Sequence, residues 1–319
     1  MKLLAVGVAA ASIALLSSHA YAAESTITIA VFTKNTTNPA YSAFRLAADQ
    51  IGQLTGAQIR HFVPKQPDNV DEQKAEIEEV LKSRPDAVVF IPVDDVAMAA
   101  SVQKLNDAEI PVVLASNPLP GRFVSYIGAD DYDIGYREAR YLFDHLGGKG
   151  KIVILEGTAG APTNRERLRG YKQALSETPG IEVLASAPGN YQQTDGKRVM
   201  AGFLKDYQQI DALLSANDSM ALGALEALNE ADRTATVIGI NGILPAVKQI
   251  EAGKLLATVD FNMFKIGCTA TVAALRYLHR EPLPDKVMLP AEIIDKSNYQ
   301  AWLVPVAQRT CSDWAALVR

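Results

Sequence analysis

Side chains suited to holding a ligand, rather than transforming one, gather at a few corners of this sequence. A short apolar run at residues 212–216 ends at Asn217, Asp218 and Ser219, and a stretch rich in Ala, Leu and Glu follows, all of them helix formers. A strand that becomes a helix within three residues places its corner at the carboxyl edge of a parallel sheet, where open α/β folds hold ligands. Asn217 brings two donors and an acceptor to that edge, a set suited to hydroxyl groups. Helix capping alone would also account for these residues. Ser116 and Asn117 end a second apolar run, Asn241 ends a third within VIGING (237–242), and Tyr191 follows a fourth within PGNYQQ (188–193).

Arg165 is placed differently, in the first turn of a helix starting near residue 164. Helix polarity disfavours a cation there. Its position points to an external partner, or to an ion pair with Glu156 or Glu166. Patterns for catalysis are missing. Beyond residue 22 only His61, His145 and His279 occur, with neither metal-like nor triad-like spacing. There is no phosphate-binding loop and no nucleophile elbow, and the turn from Gly157 to Gly160 lacks the third glycine of a dinucleotide fingerprint. The expectation is a binding protein and not an enzyme, with no cofactor and no metal.

The elements that must position these side chains follow from hydrophobic patterning. Strands start near residues 27, 58, 86 and 111 and again near 151, 182, 211 and 236. The intervals repeat in order, so two lobes of one design are expected, each alternating strand and helix. Residues 41–54 carry Tyr41, Phe44, Ala48, Ile51 and Leu54 on one helical face, with Gly56 as a stop. The run DAVVFIP (86–92) suits a strand covered on both faces. A further strand is expected at 255–261, a long helix at 263–278 and an extended segment at 284–294. Passages between lobes are expected at 128–130, 260–262 and 293–296. The lobes are then residues 23–129 with 262–294, and residues 130–261 with 295–319.

With 319 residues, 48% of them hydrophobic, the chain can bury a core of this size. A net charge of −5 with no Lys/Arg block excludes nucleic acid as a partner. Residues 1–22 read as an export signal: Lys2, an apolar run at 3–16, and the small-x-small Ala20-Tyr21-Ala22. Two cysteines, Cys268 and Cys311, remain. In an oxidising compartment an even count allows a bridge, and two unpaired thiols are the alternative.

Five stretches carry a resemblance: NPAY (38–41), DAVVFIPVD (86–94), EGTAGAPTNRERLRG (156–170), NDSMALGAL (217–225) and VIGING. Across residues 26–296 the chain resembles the ribose-binding members of the type I periplasmic binding proteins, the sugar-capturing subunits of ABC importers. Their fold is shared with the effector domains of lactose-repressor-like regulators. The resemblance implies two Rossmann-like α/β lobes, parallel sheets flanked by helices, joined by a three-segment hinge. It implies that Asn38 bonds the sugar from the first loop, that Tyr41 and Tyr191 lay rings against its faces, and that Arg165 and Asn217 donate to its oxygens. Where ribose binders have an Asp-Arg pair this chain has Ser116-Asn117; their next aspartate is Asn241, and their glutamine is Phe261. The loss of these charges argues against ribose itself. Arg165 without nearby acids suits a ligand with a carboxylate or fewer hydroxyls. The implied partners are a sugar-like small molecule and an ABC permease in the inner membrane, the protein itself being a periplasmic monomer. The alternative is a periplasmic sensor signalling to a membrane receptor or histidine kinase.

Overall fold

The computed structural model describes residues 26–318, so the export-signal expectation at 1–22 lies outside the described residues. The first lobe runs β1 (Thr28–Phe32), α1 (Pro39–Thr55), β2 (Gln58–Phe62), α2 (Val70–Ser83), β3 (Ala87–Phe90), α3 (Ala99–Asp107), β4 (Val112–Ala115) and β5 (Ser125–Gly128). The second opens with α4 (Asp131–His145), β6 (Lys149–Glu156), α5 (Pro162–Glu177), β7 (Gly180–Pro188) and α6 (Gln193–Asp206). It continues with β8 (Ala212–Ser215), α7 (Asp218–Glu230), β9 (Thr236–Ile240), α8 (Leu244–Glu251) and β10 (Ala257–Asp260). The chain then returns as α9 (Met263–Leu278), β11 (Lys286–Met288), β12 (Glu292–Asp295) and a short α10 (Trp314–Leu317).

Six strands form each sheet, in the orders β11-β5-β4-β3-β1-β2 and β12-β10-β9-β8-β6-β7, which match strand for strand. Every pairing is parallel except β12 with β10. Helices cover both faces, so β3, β4, β8 and β10 are buried at every position. That double cover is why these strands read as continuous apolar runs and not as alternation. Helix ends follow their local chemistry. Asn38 caps α1 ahead of Pro39, and Gly56 ends it at φ 75°.

Two of the expected boundaries need correction. Helix α9 packs on α1 and on β3, β4 and β5, and β11 pairs with β5, so this segment belongs to the first lobe. Residues 292–294, expected with it, instead belong to β12, which pairs antiparallel with β10 in the second sheet. The third passage therefore lies at residues 289–291. Nor does the tail stay in the second lobe. A 3-10 turn at Tyr299–Trp302 lies on α8, but the next turn, Val306–Gln308, lies on α1, and α10 lies on α9. Gln50 Nε2 donates to the Arg309 carbonyl at 2.7 Å, Leu317 is buried, and Cys311 is bonded to Cys268 on α9 with Cα atoms 5.6 Å apart. The chain thus passes between lobes a fourth time near residues 303–305. Local periodicity carries no trace of this, because the tail is held by single contacts rather than by an amphipathic face.

Candidate functional site

The carboxyl ends of the central strands face each other across the gap between lobes, the crevice predicted for doubly wound sheets. A cavity of about 20 Å³ lies there, room for little more than one water in this closed form. Asn38, Tyr41, Ser116, Asn117, Tyr191, Asn217, Asn241 and Phe261 all line it. The lobes are closed on one another: Thr37 Oγ1 donates to Gln192 Oε1 at 2.9 Å across the gap.

Several lining residues are already engaged with protein. Asn38 Oδ1 accepts from Ala40 N at 2.9 Å, so its amide NH2 is the end left for the cavity. Asn217 Oδ1 accepts from Met220 N at 2.9 Å, and its Nδ2 donates to the Tyr191 carbonyl at 3.1 Å. The capping role weighed from sequence is therefore real, and Asn217 also fixes the Tyr191 backbone. Asn117 Nδ2 donates to the Pro92 carbonyl at 2.9 Å, and Ser116 adopts φ 58° to make its corner. Asn241 differs. Its Oδ1 is buried with no partner among the described residues. An unpartnered buried acceptor is costly, and a ligand hydroxyl would relieve it.

Two aromatic rings are built in. Tyr191 sits at φ 59°, bonds Thr163 through its hydroxyl at 3.0 Å, and packs against Gly157. A Cβ at Gly157 would fall 2.1 Å from the Tyr191 ring, so only glycine leaves room for it. Burial pushes both phenols up, Tyr191 to about 12 and Tyr41 well above its ordinary value, so both are neutral hydroxyls at physiological pH.

Arg165 is not among the lining residues, which corrects its expected role. Its side chain, 48% exposed, turns to the lip of the cleft and pairs with Asp95 of the first lobe; Nη1 also donates to the Gly160 carbonyl at 3.2 Å. Neither Glu156 nor Glu166 is its partner: they bond Ser186 and Arg169. The pocket arginine is Arg167, two residues on and so on the opposite side of α5. Only 3% exposed, it donates through Nε to Asp131 Oδ1 at 2.9 Å and through Nη1 to the Ala216 carbonyl at 2.7 Å. Its guanidinium lies 5.3 Å from the Phe261 ring centroid. Burial alone would lower its pKa, but Asp131 outweighs that and holds it firmly charged.

Sequence reasoning also missed Asp68, Thr163 and Met263 in the lining. Asp68 accepts from Asn35 Nδ2 at 2.9 Å and stands 3.9 Å from Lys34 Nζ, a lysine only 1% exposed. For Arg167 a signal existed. Asn164, Arg167, Tyr171 and Ala174 recur at helical spacing and all are buried, so this stripe faces inward. Asp68 sits in an irregular loop and gave none. The cavity wall thus carries one cation, Arg167, and one carboxylate, Asp68, each paired with an opposite charge behind it, Asp131 and Lys34. The expectation of an arginine free of nearby acids does not hold.

This arrangement, two α/β lobes closed over a small polar cleft with aromatic walls, defines a solute-binding protein. The sequence pattern of the periplasmic binding protein domain matches residues 29–282, and the chain belongs to that family. It is similar to the ribose import binding protein of Bacillus subtilis, 30% identical over 271 residues, which are 85% of this chain and 87% of the relative. The D-allose-binding periplasmic protein of Escherichia coli is 26% identical, over 80% of this chain and 85% of its own. A crystal structure of an ABC transporter solute binding protein from Actinobacillus succinogenes with bound D-allose superposes with a TM-score of 0.82 at 26% identity. It covers 86% of this chain and 100% of its own. The chain is a ribose-binding-protein-like member of the family.

Proposed function

We propose that this protein captures one uncharged, polyhydroxylated small molecule, a monosaccharide or a polyol, and delivers it to an ABC permease from the periplasm as a monomer. The charge balance of the cleft carries this reading. Arg167 is neutralised by Asp131, and Lys34 by Asp68, so a ligand carboxylate would find no unpaired cation to repay its desolvation. Asn241 Oδ1 and the Asn38 amide instead offer one acceptor and one donor, and Tyr41, Tyr191 and Phe261 offer ring faces to C–H surfaces. Ribose and D-allose, the ligands named for the relatives, are uncharged molecules of this kind. Binding between lobes favours the closed form, and closure makes a surface on both lobes that a permease could distinguish from the open protein.

A thermal-shift screen tests the ligand class, because a ligand that binds only the folded state raises the melting temperature. D-ribose, D-allose, xylitol and myo-inositol form the neutral set; D-ribonate and D-gluconate form the acidic set. At least one neutral compound should raise the midpoint at millimolar concentration, and neither acid should. Tight binding of an acid, with none of the neutral set, would overturn the reading.

A further inference from the structure

The lip of the cleft holds an ion pair that the binding site does not use. Arg165 on α5 and Asp95 in the loop between β3 and α3 belong to opposite lobes, and the guanidinium meets both carboxylate oxygens. Asp95 is only 15% exposed. Its loop is set by its neighbour: Asp94 Oδ1 accepts from Val96 N at 2.9 Å and Ala97 N at 2.7 Å. The approach is close, since a Cβ at Gly160 would lie 2.4 Å from Asp94 Oδ2. Within α5 the arginine is out of place, a cation in the first turn of a helix. Its own helix is therefore not what holds it there. Its compensation comes from the other lobe, and only when the lobes meet.

We infer that Arg165 and Asp95 are a closure latch: a pair of positioning residues that favours the closed form and touches no ligand. The inference rests on the two-lobed capture proposed above, but its test uses no ligand, so the two can fail separately. Opening the cleft must part these residues, whereas the pairs of Arg167 with Asp131 and of Lys34 with Asp68 each lie within one lobe and survive opening. A half-exposed pair shifts a closed-to-open ratio by about two- to fivefold, and 1 M salt removes most of that.

Spin labels on non-natural residues at the exposed positions Gln103 and Lys172, one per lobe, leave the cystine intact. Electron–electron distance measurements on the unliganded protein then give the closed fraction. Five proteins are compared: the parent, R165D, D95R, the exchanged pair D95R/R165D, and R165Q as a milder variant. Asp at 165 suits the start of α5, so a lower closed fraction in R165D does not come from a weakened helix. The single variants should lower the closed-to-open ratio two- to fivefold, the exchanged pair should restore it, and 1 M NaCl should level all of them. Equal fractions in every protein, zero included, or singles that fall without rescue by the exchange, overturn the latch.

Discussion

Arg165 and Arg167 stand two residues apart on one helix, and the cleft treats them in opposite ways. At the lip, Arg165 is half exposed and reaches across to the other lobe. At the floor, Arg167 is sealed among Asp131, the Ala216 carbonyl and Phe261, all on its own side of the gap. The first pair exists only while the lobes are closed; the second is a fixed part of the wall. The lesson is that charge at a cleft has two uses, set by depth. Deep charge shapes the pocket and is worth much if broken, because a buried partner is left uncompensated. Shallow charge adjusts an equilibrium and is worth little to stability.

The sharpest way to break this contrast is Arg167→Ala. It strands Asp131 in the wall, and the fold should lose roughly 3 to 5 kcal/mol in urea denaturation, with ligand capture abolished. Replacing the pair with apolar residues (Arg167→Met with Asp131→Leu) should recover most of the stability and none of the binding. Equal stability of Arg167→Ala and the parent would show that the floor pair is as loosely held as the lip pair.

Removing the cystine probes the place where α1, α9 and the tail meet. It closes a separation of 43 residues, and Cys268→Ser with Cys311→Ser should cost about 4 kcal/mol of stability on the chain-entropy account. Binding measured well below the new midpoint should change far less than in Arg167→Ala, since the cavity lining is untouched. A collapse of affinity at full folding would mean that the tail, and not the cleft wall, positions the lobes.

Titration separates the depths a third way. Glu138, fully buried behind the floor against Tyr171, is pushed up to about 8 by burial, and Asp218 at the start of α7 to about 7, also by burial. The folded state therefore holds protons that the unfolded chain releases near pH 4. The associated stability is complete below about pH 4 and is lost as pH rises toward 8. The melting midpoint should fall between pH 5 and pH 8, and Glu138→Gln should flatten part of that slope. No change in slope would place Glu138 in contact with solvent.

The smallest effect belongs to the lip. Arg165→Ala should change stability by less than about 1 kcal/mol and weaken binding only a few-fold, in a manner that fades with added salt. A loss of a hundredfold or more, independent of salt, would return Arg165 to the ligand and erase the distinction between the two arginines.

How far each part was legible follows from the kind of signal it left. Strand starts such as Gln58 and Thr236 and the whole of Met263–Leu278 were readable, since doubly covered strands and long apolar helices leave local patterns. Asn117, Asn217 and Asn241 were readable as corner residues, because a strand-to-helix turn fixes which end of the sheet they occupy, and Asn38 came only from the family likeness. Arg165 was misread because its place in the first turn and the family likeness pointed to a ligand, whereas the helical stripe from Asn164 through Arg167 to Tyr171 pointed to its neighbour. Asp68, in a loop at φ 57°, left no such pattern.

By itself, then, the order of residues determined two repeated α/β lobes and the edges at which polar side chains would meet, because periodicity and turn chemistry act over a few neighbours. Only the folded molecule decided which arginine faces the cavity, that its charge is neutralised by Asp131, and that the tail crosses back to be bonded at Cys268. Those outcomes depend on contacts between residues 36 to 43 or more positions apart in the chain, and the energy of such contacts is set by burial and geometry that no local window contains.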